Sequence, residues 1–89
     1  MARVIFASAL ARHVGPPPAV AAGASVREVL DAVFAENELA RGYVLDDQAA
    51  LRKHMAIFVD GNQVRDRIHL SDPVDDRSEV YVIQALSGG

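Results

Sequence analysis

The residues of this chain best suited to chemistry stand at its end, where "QALSGG" closes on Gly88 and Gly89. A carboxyl group on glycine has no side chain beside it, and two glycines in a row make a thin thread able to enter a narrow channel. A carboxylate is a poor electrophile. It accepts a new bond only after activation, typically as an acyl-adenylate made from ATP. An adenylated Gly89 could then be attacked by sulfide or a persulfide to give a thiocarboxylate, or by an amine to give an amide. The competing reading is a frayed end, because termini not tied into a fold are usually disordered.

Other chemistry finds less support. With no cysteine, disulfides, thiolate metal sites and a cysteine nucleophile are excluded. His13, His54 and His69 are far apart in the sequence and show no HxxxH or HExxH spacing, so they predict no metal site. Asp72, Asp75 and Asp76 lack the ligand spacing and turn glycine of a calcium loop and read as a solvated turn. There is no GxSxG, P-loop or GxGxxG. No metal or resident cofactor is expected. A net charge of −3 without a Lys/Arg cluster argues against nucleic acid or an anionic membrane as partner. The opening apolar run is too short for a signal sequence or a membrane span, which makes the cytoplasm the expected compartment.

At 89 residues with 51% apolar content, the chain reads as one small domain over 1–89, of a size that buries roughly 60–65% of its unfolded surface. "RVIFAS" at 3–8 predicts a first strand. "RHVGPPP" at 12–18 predicts a loop with polyproline character, and "AVAAG" at 19–23 a short second strand. "SVRE" at 25–28 is a capping box. It opens a helix over 25–40 whose Val26, Val29, Leu30, Val33 and Phe34 form one stripe, with Gly42 as its stop. "YVLDDQAALRKH" at 43–54 reads as a long connection, with a helical turn at 48–51. "MAIFVDGNQV" predicts a strand, an Asp60-Gly61 hairpin turn and a return from Val64. "EVYVIQAL" is a last strand running almost to the glycines.

One amphipathic helix can cover one face of one small sheet, so the order β-β-α-β-β-β predicts a two-layer α+β domain. Strand alternation places Met55, Ile57, Val59, Val80 and Val82 toward the helix with Val4 and Phe6. Phe58, Tyr81 and Ile83 then point away from it. Such an outward apolar trio either marks a partner surface or lies beneath the 43–54 connection.

The opening around "SVREVLDAVF", the "IFVDGNQV" hairpin, the turn "LSDPVDDRSEVYVI" and the terminal "SGG" resemble the ubiquitin-like β-grasp sulfur carriers. These are the small subunit of molybdopterin synthase, the thiamine-pathway carrier and the cysteine-pathway carrier. The resemblance implies a β-grasp fold, with a mixed four- to five-stranded sheet, one main helix on one face and a flexible tail over 87–89. It implies that an E1-like enzyme adenylates Gly89, with Gly88 as second member of the tail, and that a thiocarboxylate there donates sulfur to a synthase. The protein would then be a carrier and not itself an enzyme. By the same resemblance, Phe58, Tyr81 and Ile83 form the partner-docking face. The sequence departs from many relatives in "DDRSEV", where they have an Asp-Gly turn, and in "QALS", which lacks a proline. Two alternatives stand beside the carrier: a protein modifier joined through Gly89 to lysines, and a plain β-grasp binding module.

Overall fold

The computed structural model describes residues 1–84; the expectations for Gly88, Gly89 and the 87–89 tail lie outside them. Five strands form one mixed sheet in the order β2-β1-β5-β3-β4, with β1 Ala2–Phe6, β2 Val20–Ala21, β3 Met55–Val59, β4 Asn62–Gln63 and β5 Glu79–Gln84. The last strand is the middle one. β5 runs parallel to β1, with Arg3 opposite Glu79 and Phe6 opposite Val82, and antiparallel to β3, with Met55 opposite Gln84 and Val59 opposite Val80. The outer pairs are antiparallel.

The expected capping box is formed at the start of α2, Val26–Phe34. The Ser25 hydroxyl accepts from the Glu28 amide at 3.2 Å, and the Glu28 carboxylate accepts from the Ala24 amide at 3.3 Å. Val26, Val29, Leu30, Val33 and Phe34 are all buried against Val4, Phe6, Ile57, Val80 and Val82, which is the predicted pairing of helix stripe and sheet face. Gly23 permits the close approach, since a Cβ there would lie 2.7 Å from the Val29 nitrogen.

Three features depart from the sequence-based expectation. First, Arg12, His13 and Val14 lie in a helix and not in a loop: α1, Ser8–Val14, follows β1 directly. The Ala7 amide donates to the Val82 carbonyl at 2.9 Å, so the ladder hands over to the helix with no intervening turn. Leu10 and Val14, four apart, anchor it in the core.

Second, the long helix expected over 25–40 is two helices. Asn37 breaks it: its side-chain oxygen caps α3, Glu38–Val44, by accepting from the Ala40 amide at 3.0 Å. Its side-chain nitrogen donates to the Val14 carbonyl at 2.8 Å, tying α3 to the end of α1. Gly42 therefore sits inside a helix and stops nothing; the backbone turns extended at Leu45, which bridges to Leu51.

Third, 48–51 holds no helical turn. Asp46 organises the segment by accepting from the amides of Gln48 and Ala50 at 2.8 and 3.0 Å, and Ala49 takes φ 64°.

The hairpin between β3 and β4 turns on Asp60 and Gly61, with φ 51° and 85°, the positive pair of a type I′ turn. Asp60 also binds β5, its carboxylate accepting from the Glu79 amide at 2.9 Å. Arginines hold the two long connections by donating to carbonyl oxygens. Arg27 reaches Ala49, Ile68 and His69, and Arg67 reaches Arg52 and Met55.

The aspartates of the second connection are local anchors. Asp72 accepts from the amides of Arg65 and Asp66, both at 2.9 Å, and these bonds lower its pKa. Asp66 accepts from the Ser71 hydroxyl at 2.5 Å and from the amides of Ile68, His69 and Ser71. Its pKa falls from the ordinary 3.8 to about 2, chiefly through the Ser71 hydroxyl and next the His69 amide.

Two stability predictions follow from this packing. Ile57 is fully buried, so Ile57→Ala should destabilise by about 2–4 kcal/mol, read as a lower urea midpoint with unchanged slope; an unmoved midpoint would overturn the core assignment. For Asp66 the native pKa is depressed, so its contribution is complete above the unfolded pKa of about 3.9 and disappears as pH falls toward about 2. Asp66→Asn should flatten the loss of stability across that acid window, and leave its shape unchanged if the carboxylate bonds are not formed in solution.

Candidate functional site

Strand alternation leaves the side chains of Arg3, Ile5, Phe58, Glu79, Tyr81 and Ile83 on the sheet face away from the helices. Tyr81 is the Cα partner of both Ile5 and Phe58, which makes one apolar row across three adjacent strands. Ile83, two residues on, extends it along β5. These side chains line an open groove of about 450 Å³ with Glu79 and with Gly61, whose turn borders it. Tyr81 remains 38% exposed.

The 43–54 connection contributes nothing to this lining. Of the two readings of the trio, the one in which that connection covers it is not what the fold adopts. At one end the groove carries a polar margin, where the Arg3 guanidinium meets the Glu79 carboxylate at 3.2 Å. Both groups are well exposed, so the pair shapes the rim more than it stabilises the fold.

The sequence grouped Phe58, Tyr81 and Ile83, and the structure brings them together. It adds Ile5, whose position was legible in the same alternation that turns Val4 and Phe6 inward.

Beyond the groove, β5 leads out of the sheet between two anchored points: Val82 accepts from the Ala7 amide, and Gln84 lies opposite Met55. A smaller hollow of about 320 Å³ at this exit is lined by Gly42, Tyr43, Arg52, His54 and Gln84. Tyr43 stacks on His13 with ring centroids 5.5 Å apart and planes 16° from parallel. His69 is held by its backbone, its amide donating to Asp66 and its carbonyl accepting from Arg27. Among the described residues no three His, Asp or Glu side chains are grouped to hold a metal ion. No helix among them is long and apolar enough to cross a membrane.

Family comparison matches residues 15–89 to the ThiS family. That stretch includes most of the sheet, the hairpin and both terminal glycines. The chain belongs to the ThiS family. As a ThiS family protein it is a sulfur carrier of ubiquitin-like fold.

Solved structures agree on the architecture of this ThiS family chain. A chain in the crystal structure of the Amycolatopsis orientalis BexX/CysO complex is 22% identical, with a TM-score of 0.79 and full coverage of both chains. Crystalline SAMP1 from Haloferax volcanii is 21% identical, with a TM-score of 0.75 over 99% of this chain and 98% of its own. Mycobacterium tuberculosis CysO is 20% identical, with a TM-score of 0.77 over 97% of this chain and all of its own. No curated protein matches the sequence. At these identities the likeness concerns the β-grasp fold, which all three share with this chain.

Proposed function

We propose that this ThiS family protein carries sulfur as a thiocarboxylate on Gly89. The supporting observation is the family match, which runs through Gly88 and Gly89, the first of them four residues after Gln84 at the end of the central strand β5. In the first step the Gly89 carboxylate oxygen attacks the α-phosphorus of ATP in an E1-like enzyme. Pyrophosphate leaves and an acyl-adenylate forms. Hydrosulfide then attacks the acyl carbon and expels AMP, leaving a C-terminal thiocarboxylate. In a synthase the thiocarboxylate sulfur attacks an electrophilic acceptor, and water then cleaves the acyl–sulfur bond, leaving the sulfur on the acceptor and the carboxylate for another cycle.

The groove around Phe58, Tyr81 and Ile83 is the docking face in this reading. Its aromatic and aliphatic side chains project from β5 and its neighbour β3, so a partner seated there grips the strand that leads to the tail. An exposed aromatic beside aliphatic neighbours is the composition of an interface anchor. Amide transfer to lysines is the second reading, and the fold shared with a protein named as a small archaeal modifier keeps it in view.

Three experiments test the proposal. Incubation with the E1-like enzyme, ATP and sulfide should shift the intact mass by the exchange of one oxygen for sulfur. A variant with one residue added after Gly89 should bind but not react, because the carboxyl is displaced by about 3.3–3.6 Å. Appearance of lysine-linked adducts in place of the thiocarboxylate would decide for the modifier. Phe58→Asp should keep the wild-type circular dichroism spectrum while weakening binding to the E1-like enzyme at least about 30-fold, as loss of an interface anchor does. Undiminished binding in calorimetry would remove the groove from the docking face.

A further inference from the structure

Three of the chain's arginines are half-buried, Arg27, Arg52 and Arg67. Arg27 directs a terminal nitrogen at the Ala49 and Ile68 carbonyls, and Arg67 directs one at those of Arg52 and Met55. Arg52 differs. Its Nε donates to the Gly42 carbonyl at 2.9 Å and its amide to the Val44 carbonyl at 3.0 Å, which fixes the residue against the last turn of α3. Its two terminal nitrogens have no acceptor, and no carboxylate pairs with them, among the described residues. A guanidinium half withdrawn from water with its planar fork open is built to receive an anion.

Arg52 lines the hollow of about 320 Å³ with Gly42, Tyr43, His54 and Gln84, and no acidic residue is among them. Lys53 and His54, both exposed, follow Arg52 on the turn into β3. The acids of the same connection stand at its other end. Val44 pairs with Arg52 and Leu45 bridges to Leu51, so the two sides run together toward a tip where Asp46 holds the Gln48 and Ala50 amides. Asp31 and Glu38 line a different hollow, together with Arg41. In a chain of net charge −3, this corner is a local concentration of positive charge.

We propose that the hollow is a docking point for an acidic side chain of the E1-like enzyme, an aspartate or glutamate carboxylate seated bidentately on Arg52 beside Lys53. This rests on the reading of Gly89 as the residue that enzyme activates. A carboxylate fits better than a phosphate, because phosphate sites gather converging backbone N–H groups. Here the backbone groups against Arg52 are the carbonyls of Gly42 and Val44. The hollow is also continuous with the proposed docking face: Ile83 lines the groove and Gln84, the next residue, lines the hollow, on opposite faces of β5. A partner that encloses the end of this strand meets apolar surface on one face and a fixed cation on the other. The first supplies affinity and the second orientation.

The test measures association and dissociation rates of the full chain with the E1-like enzyme at about 50 mM and about 300 mM salt, between which screening of exposed charges changes. Arg52→Gln should weaken binding at least about tenfold, mainly through faster dissociation, and Lys53→Glu should slow association about tenfold at the lower salt. Because Arg52 also holds α3, the Lys53 variant, whose side chain makes no hydrogen bond or ion pair among the described residues, carries the test independently of the fold. Arg77→Gln removes an exposed cation near the other end of β5 and should leave both rates unchanged. In the isolated protein, an acetylated hexaglutamate peptide should shift the NMR signals of the Arg52 Nε–H and of the Tyr43 and His54 amides more than inorganic phosphate does. Unchanged rates in both the Arg52 and Lys53 variants, an equal loss in Arg77→Gln, or a stronger response to phosphate would each overturn the proposal. Pyrophosphate release with ATP is followed in parallel. Charge-dependent binding without pyrophosphate release would overturn the reading of Gly89 and support the hollow; release with unchanged rates would overturn the hollow alone; a wild type that fails to bind the enzyme would overturn both.

Discussion

The structure depends on β5 filling the centre of the sheet. Its parallel ladder with β1 joins the first and last described strands, Arg3 to Glu79 and Phe6 to Val82, so nearly the whole chain must close before the sheet exists. Pairing at that sequence separation carries a large loop entropy and makes folding slow relative to local helix formation. Burial offsets the cost. Val80 and Val82 sit in the core against α2, while the same strand turns Tyr81 and Ile83 outward. One run of alternating residues therefore serves stability on one face and, in the proposed reading, recognition on the other.

The long connections on either side of β3 are held by a different means. Leu45, Leu51, Val64 and Leu70 anchor them in the core, and between these anchors many backbone groups are satisfied by side chains. Arg27 donates to carbonyls in both connections, and its own amide donates to the Leu70 carbonyl at 2.9 Å. Leu70 is fully buried with φ 54°, a conformation that costs a branched side chain energy and persists where its surroundings impose it. Here the Asp66 carboxylate and the Arg27 side chain impose it from two sides.

Much of this was legible in the sequence. The capping box at Ser25 and Glu28, the Asp60-Gly61 turn and the period-two alternation of β3 and β5 are local signals with local causes, and each formed as read. What escaped had causes outside its own segment. The seven residues of α1 lack a side-chain cap, and their helix is set by Leu10 and Val14 entering a core built by distant strands. Asn37 is an N-cap residue inside an apolar period, where the stripe concealed it and Gly42 offered a false stop. The arginine contacts to carbonyls join residues as much as 42 positions apart, which no window of sequence displays. The outward direction of Ile5 was legible in the alternation of β1, but its place beside Tyr81 is a fact of pairing and not of composition.

The same register limits what the tail can do. Tyr81 and Gln84 lie three residues apart on one strand, about 10 Å at strand rise, and the strand is paired as far as Val82 on the side of Ala7 and as far as Gln84, opposite Met55, on the other. A partner that seats the Phe58–Tyr81 row thus fixes the launching point of the tail as firmly as the row itself. In the proposed reading, only the residues after Gln84 separate this anchored strand from the reacting carboxyl. On the proposed docking face, substitutions in the groove would alter how tightly a partner holds the carrier. Changes in tail length would alter where the carboxyl arrives without touching the grip. The central strand makes these two properties separable.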